Sequence, residues 1–202
     1  PKMFMNTFVI AIFTCIISTI FVLSVAYSMS RMRFKMRKPF MNIAMIIGLF
    51  PSFMSMIAVY YILRALNLAD GAMIRVALII VFSAGSGAGF YVAKGFFDTI
   101  SKSLDEAAII DGATRWNVFT KITVPLSKPI IVYTILTSFM GPWVDFIFGK
   151  VICRADAQYY TVSIGLWKML EKEYIDSWYT CFAAGAVVVS IPIAILFLMT
   201  QK

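Results

Sequence analysis

The sequence predicts an all-α fold: a polytopic helical membrane protein with five spans and a long cytoplasmic connection. Three observations carry that prediction. Of the 202 residues 61% are hydrophobic and only 14% charged, whereas a soluble domain is about a quarter charged. Charge-free runs recur along the chain, and a spanning helix needs roughly 20 apolar residues. Lys and Arg gather between those runs, as in the positive-inside distribution of membrane proteins. Alternating ten-residue strands of the lipid-embedded barrel type are not found.

The first span is expected at about 6–29, within the charge-free run Met3–Ser30. Arg31, Arg33, Lys35, Arg37 and Lys38 follow with no acid among them, so this loop is placed in the cytoplasm. The second span, about 40–63, holds Pro51 after Gly48, which predicts a kink because proline removes a backbone hydrogen bond. Residues Arg64–Arg75 form an outside connection. The third span, about 76–93, is the shortest and contains Gly85-Ser-Gly-Ala-Gly89, small residues that allow close helix approach in lipid. A long cytoplasmic loop, 94–128, leads to the fourth span, about 129–149. The outer loop from about Cys153 to Ser177 is followed by the last span, about 178–200.

In this orientation the inside segments hold Arg31, Arg33, Lys35, Arg37, Lys38, Lys94, Lys102, Arg115, Lys121, Lys128 and Lys202, against seven basic residues outside. The net charge of +8 therefore has an ordinary membrane-topology cause and predicts no nucleic-acid partner. The C-terminus is expected in the cytoplasm, which puts Pro1 outside. A further N-terminal segment with at least one more span is accordingly expected ahead of it. Three scattered cysteines (Cys15, Cys153, Cys181) give no metal or disulfide pattern. Histidine is absent from the sequence, which removes the commonest metal ligand and general base. A membrane enzyme is disfavoured on that ground, and no metal site is expected.

Residues 101–129 read as a helix–turn–helix. Ser103 and Glu106 have the spacing of a capping box, which predicts a helix from Leu104. Asp105 and Glu106 would lie in its first turn, where acids complement the helix dipole. Gly112 suits a left-handed C-terminal cap. A second helix is expected over Ala113–Ile122, stopped by Pro125. Ala107 and Ala108 are small enough for another surface to approach the backbone, and Trp116 and Phe119 would share a face. An ordered hairpin with no partner is the plainer alternative on these features.

Two other features point outward. Asp145 is the sole acid inside a predicted span, and such residues suggest function. It lies roughly 24 Å along the helix from Pro129, near the outer end, and Pro142 is expected to break the helix just before it. An interfacial or helix-pairing role for Asp145 stands beside a substrate contact. Trp143 is either a stacking platform or a packing residue. Tyr159, Tyr160, Trp167 and Tyr174 in the outer loop could rest at headgroup level or meet an extracytoplasmic partner.

The hairpin resembles the signature of permease subunits of binding-protein-dependent ABC importers, in which EAA, three residues, Gly, nine residues and Ile-x-Leu-Pro follow in order. Here Glu106-Ala107-Ala108, Gly112 and Ile122-Thr123-Val124-Pro125 stand at those spacings, and only Val124, for Leu, departs. Asn6-Thr7, Ala26-Tyr27 with the basic stretch after it, Asp111-Gly112-Ala113 and Trp143-Val144-Asp145-Phe146 are similar to the carbohydrate-uptake branch. Within that branch the sequence most resembles the maltose/maltodextrin-type second permease subunits. Its members normally have six spans.

The resemblance implies a coupling helix seated on a separate ATPase. Glu106 would make polar contacts to it, Ala107 and Ala108 would permit close docking, and Gly112 would provide the turn, with Asp111, Ile122 and Pro125 completing the motif. The partners implied are a second permease subunit, two copies of a cytoplasmic ATPase, an extracytoplasmic solute-binding protein and the bilayer. No cofactor is expected on this chain; ATP and Mg would bind the ATPase, since no GxxxxGK[ST] occurs here. Trp143, Asp145 and Phe146 become candidates for the translocation path, and Tyr159, Tyr160 and Trp167 for binding-protein contact. Import of a non-sugar solute is the alternative, because the motif is shared among importers. A secondary transporter or channel is a further one, set back by the near absence of charge in the spans.

Overall fold

A computed structural model describes residues 2–49, 52–85, 89–154, 156–171 and 175–200, and every regular element among them is helical. In order these are α1 (Lys2–Arg31), α2 (Arg37–Gly48), α3 (Ser52–Ala65), α4 (Met73–Gly85) and α5 (Gly89–Thr99). The hairpin follows as α6 (Lys102–Ile110), α7 (Arg115–Val118), a π-turn (Phe119–Thr123) and α8 (Val124–Leu126). The rest comprises α9 (Lys128–Val144), α10 (Ile147–Cys153), a 3₁₀ turn (Ala157–Tyr159), α11 (Val162–Met169) and α12 (Ile175–Thr200).

The central element is α1. Its buried positions Thr7, Ile10, Ala11, Thr14, Ser18, Val22, Ala26 and Met29 recur every three or four residues, the period of one helical face. That face packs chiefly on α9, α5 and α4. Ile10 joins Leu63, Ile74, Leu78, Ile152 and Ile164 in one apolar cluster. Val22, Ala26 and Met29 join Phe90, Phe97 and Ile130 in a second, and Ala11 packs with Phe139 and Trp143 in a third. Lipid gives spans little hydrophobic reason to associate, so close packing and polar contacts carry the assembly. Gly165 marks the tightest approach: a Cβ there would lie 2.4 Å from the Met3 sulfur.

The N-terminal end of α1 is pinned by hydrogen bonds. Asn6 Nδ2 donates to the Gln158 and Tyr160 carbonyls at 2.9 and 3.2 Å, and the Val162 N–H donates to Thr7 Oγ1 at 2.9 Å. Thr7 thereby satisfies an amide that the start of α11 leaves without an intrahelical partner. All three contacts are buried or nearly so, where an unpaired polar group would cost about 1–3 kcal/mol.

Two helices, Lys2–Arg31 and Trp178–Thr200, are each long and apolar enough to cross a membrane. The described residues of the other expected spans fall in more than one helix each. The 40–63 segment comprises α2 and α3, with Pro51 outside the described residues. The 76–93 segment is divided between α4 and α5, and the middle of its glycine run also lies outside them; at Gly89 a Cβ would meet Val22 at an ordinary 3.8 Å. Helix α5 continues to Thr99, so the first residues of the 94–128 connection are helical. Within 129–149, Pro142 does not end the helix as expected: it is buried inside α9, which runs on to Val144. The break comes at Asp145, whose extended backbone (φ −74°, ψ 123°) starts a new direction into α10.

Large apolar side chains are exposed over α1, α2, α3 and α12, among them Ile20, Ile47, Met54, Val187 and Leu198. A water-soluble monomer rarely exposes so much contiguous apolar surface. This exterior suits lipid and neighbouring membrane helices.

Candidate functional site

The hairpin is built by local chemistry. Ser101, not Ser103, caps α6: its Oγ accepts from the Ser103 N–H at 3.3 Å, and the helix begins at Lys102. The expected start at Leu104 is therefore two residues late. Arg31 fixes the Ile100 carbonyl at 2.9 Å, so the chain turns directly after it and Ser101 takes the capping place. At the other end the Gly112 N–H donates to the Ile109 carbonyl and the Ala113 N–H to the Ala108 carbonyl, at 3.0 and 2.9 Å. Gly112 has φ +85°, the left-handed conformation that glycine adopts without penalty. Thr114 then caps α7, its Oγ1 accepting from the Asn117 N–H at 3.2 Å.

Pro125 does not stop the second helix. Helical structure runs to Leu126 through the π-turn, where the Val124 N–H donates to the Phe119 carbonyl five residues back. In an α-helix the Pro125 ring would collide with the Lys121 carbonyl. The wider turn just ahead of it relieves that clash. The helical stretch Arg115–Leu126 then meets α9 at 80°.

Glu106, Ala107, Asp111, Gly112 and Pro125 are exposed, Ala108 and Ile122 half-buried. Around the first four stand Leu104, Ile110 and Trp116, with Ile110 85% and Trp116 69% exposed. Trp116 and Phe119 do share a face, with ring centroids 5.8 Å apart, and Phe119 reaches back to Tyr27 of α1 at 4.7 Å. Glu106 thus stands exposed on a helix that also exposes small and large apolar side chains.

The second feature is a cavity of about 780 Å³ between α1, α4, α9 and α10. Thr134, Thr137, Ser138 and Gly141 present one face of α9 to it, opposite Val22, Val81 and Phe82. The Thr134 and Thr137 hydroxyls donate to the carbonyls of Ile130 and Tyr133, each at 2.8 Å. Their oxygens keep acceptor capacity. Asp145 and Phe146 line the same cavity. Asp145 Oδ1 also accepts from the Gly149 N–H at 3.0 Å, capping α10.

Trp143 does not line the cavity. It is 3% exposed and packs edge-on against Phe4 at 5.2 Å. Tyr160 is likewise buried, at 3%, and its hydroxyl donates to the Arg154 carbonyl. It cannot meet an external protein, because it belongs to the α1–α4–α11 core. Tyr159 is half-buried under the Arg75 guanidinium. Trp167 is exposed and stacks on Phe146 with centroids 5.0 Å apart. Tyr174 lies outside the described residues.

Sequence reasoning missed the α9 polar face and the contacts that hold the hairpin. The former was signalled by the helical spacing of Thr134, Thr137, Ser138 and Gly141. The latter join residues far apart in sequence: Ser30 donates to Asp98 at 2.6 Å, and Arg31 Nε lies 3.1 Å from Asp105 Oδ2. No group of three His, Cys, Asp or Glu side chains suited to a metal occurs among the described residues.

A helical membrane domain with a cavity among its helices and an exposed hairpin between them is the architecture of a membrane transport subunit. The match to the family described as "Binding-protein-dependent transport system inner membrane component" covers residues 18–201, and the chain belongs to that family. It is a multi-pass permease of the plasma membrane and not an enzyme. It is 34% identical to the galactooligosaccharides transport system permease protein GanQ of Bacillus subtilis, over 98% of this chain and 69% of that protein. With the maltodextrin transport system permease protein MalD of Streptococcus pneumoniae it shares 31% identity, over 98% of this chain and 70% of that one. Its fold matches a solved bacterial ABC transporter involved in import of the acidic polysaccharide alginate, with TM-score 0.80 and 26% identity. That match covers all of this chain and 74% of the other.

Proposed function

We propose that this permease moves a sugar or oligosaccharide inward by alternating access, driven by ATP hydrolysis on a separate subunit. The observation that carries the proposal is the hairpin: an exposed Glu106, small residues beside it, and a turn fixed by Gly112, all held by the chain's own caps. Its match to the importer motif supports a coupling role, in which α6 seats on the ATPase and rigid-body closure there moves the spans. ATP and Mg belong to that partner. A second permease subunit completes the pathway, two ATPase copies drive it, and an extracytoplasmic binding protein delivers solute. The hairpin and C-terminus face the cytoplasm.

The cavity is this subunit's share of the path. Hydroxyls of Thr134, Thr137 and Ser138 with the Asp145 carboxyl offer the hydrogen-bonding groups that sugar hydroxyls require, and Phe82 and Phe146 offer apolar faces. The names of the similar permeases support a saccharide as cargo.

The test uses the full-length subunit reconstituted with its neighbouring gene products. Glu106 is exposed, so Glu106→Lys should insert and fold normally while ATP-dependent sugar uptake is lost. Uptake equal to wild type in that variant would refute the coupling role. ATP-dependent uptake of amino acids or phosphate in place of sugar would overturn the cargo assignment alone.

A further inference from the structure

The chain connects the hairpin covalently to only two helices, α5 before it and α9 after it. Helix α1 is distant in sequence, yet it is the element on which α4, α5 and α9 pack, and it places Val22 on the cavity wall. For hairpin motion to rearrange the cavity, α1 must be carried along. Its cytoplasmic end shows how. Arg31 closes α1 with its side chain only 5% exposed, in a position where an unpaired charge would be costly. One guanidinium nitrogen donates to the Ile100 carbonyl at the end of α5, at 2.9 Å. Nε pairs with Asp105 Oδ2 of α6 at 3.1 Å, and Asp105 is itself only 14% exposed. One side chain thus bridges three elements. Its neighbour Ser30 donates to Asp98 of α5, and Tyr27, one turn earlier, meets the tilted ring of Phe119 in the hairpin's π-turn.

We infer that Arg31 is the joint through which the cytoplasmic hairpin moves α1, a positioning residue of coupled transport that acts through Asp105 and the Ile100 carbonyl. The inference rests on the coupling role proposed above.

The details of the pair suit a joint better than a rigid brace. Nε and Oδ2 are close enough to pair but are not aligned for a hydrogen bond, and Arg31 Nη1 and Asp105 Oδ1 are buried without a partner. The ion pair is therefore one-armed here. A planar guanidinium opposite a carboxylate can close to a two-armed bond. The unused donor and acceptor let the contact persist, and strengthen, as the hairpin rocks against α1. Lysine, a point charge without the fork, could hold Asp105 or the carbonyl but would not serve both in fixed geometry.

The experiment compares Arg31→Gln, Arg31→Lys, Asp105→Asn and the exchange Arg31→Asp/Asp105→Arg with wild type. Each is placed in the complete reconstituted transporter, and both ATP hydrolysis and sugar uptake are measured. The reading is sugar moved per ATP hydrolysed, which a loss of folding or assembly would not change in the surviving complexes. The single variants should bind the ATPase and hydrolyse ATP, while sugar per ATP falls about tenfold, within the ordinary range of coupling between sites. The exchange should recover part of that loss. Sugar per ATP equal to wild type in Arg31→Gln and Asp105→Asn would overturn the inference. Should Arg31→Gln not assemble, Arg31→Lys decides alone: a lower ratio supports the joint and an unchanged one refutes it. Failure of the underlying coupling role is distinguishable, since Glu106→Lys would then transport normally whatever Arg31 does.

Discussion

Gly112 offers the sharpest test of how the hairpin is built. A Cβ added there meets no atom within 4 Å, so no steric collision clouds the result and the whole cost is backbone. At φ +85° an L-residue costs roughly 1–2 kcal/mol, partly offset by the about 0.4–1 kcal/mol that alanine contributes by restricting the unfolded chain. Gly112→Ala should therefore loosen the turn by about 1 kcal/mol, or about fivefold in the local opening equilibrium. Gly112→Val, β-branched and a genuine outlier at positive φ, should exceed it, and Gly112→Asn should lie closest to wild type. The assay is amide hydrogen exchange of the membrane-embedded protein over Gly112 and Ala113, whose N–H groups close the turn onto Ile109 and Ala108. Equal protection in Gly112→Ala and wild type, or an Asn variant as labile as Val, would refute the argument from conformation.

Three further outcomes are expected. Asn6→Leu removes the donor to the Gln158 and Tyr160 carbonyls; at about 1–3 kcal/mol, the 156–161 segment should be cut faster by protease with little change in the 101–126 hairpin. Ser30 and Lys94 both hold the Asp98 carboxylate, so Asp98→Asn should lower the melting temperature of the purified protein, and an unchanged value would show that these contacts add nothing to stability. Thr137→Leu places an apolar branch on the cavity wall and should raise the apparent KM for sugar about fivefold without altering basal ATP hydrolysis; an unchanged KM would remove Thr137 from the path.

Much of the hairpin was legible because its signals are local. Gly112 needs positive φ whatever surrounds it, and the spacing of Trp116 and Phe119 is set by the helix alone. The start of α6 was misread because two serines, Ser101 and Ser103, both suit a cap, and the choice is fixed by Arg31, 70 positions away, holding the Ile100 carbonyl. Pro125 was misread as a stop because the rule assumes an α-helix, and a π-turn lets the chain pass. Apolar composition located membrane segments but not their breaks: the turn at Asp145 depends on its carboxylate capping α10. Trp143 and Tyr160 carry the same composition signal as exposed aromatics, and only packing against Phe4 and the α1–α4–α11 core separates the two cases.

The polar contacts of α1 divide by depth in a way that bears on mechanism. At the N-terminal end Asn6 and Thr7 are bonded to chain atoms of the 158–162 segment by three hydrogen bonds of 2.9, 3.2 and 2.9 Å. At the C-terminal end the link is an ion pair with an unused donor and acceptor. Fully paired backbone contacts resist displacement, because breaking them strands buried groups. A one-armed pair has a second geometry available to it. Between the two lies the stretch of α1 that carries Ser18 and Val22 past α9 and the cavity. A helix fixed at one end and articulated at the other pivots about the fixed end. In the coupling proposed above, motion of the hairpin would be largest at the Arg31 end of α1 and diminish toward Asn6, changing the part of the cavity nearest Arg31 most.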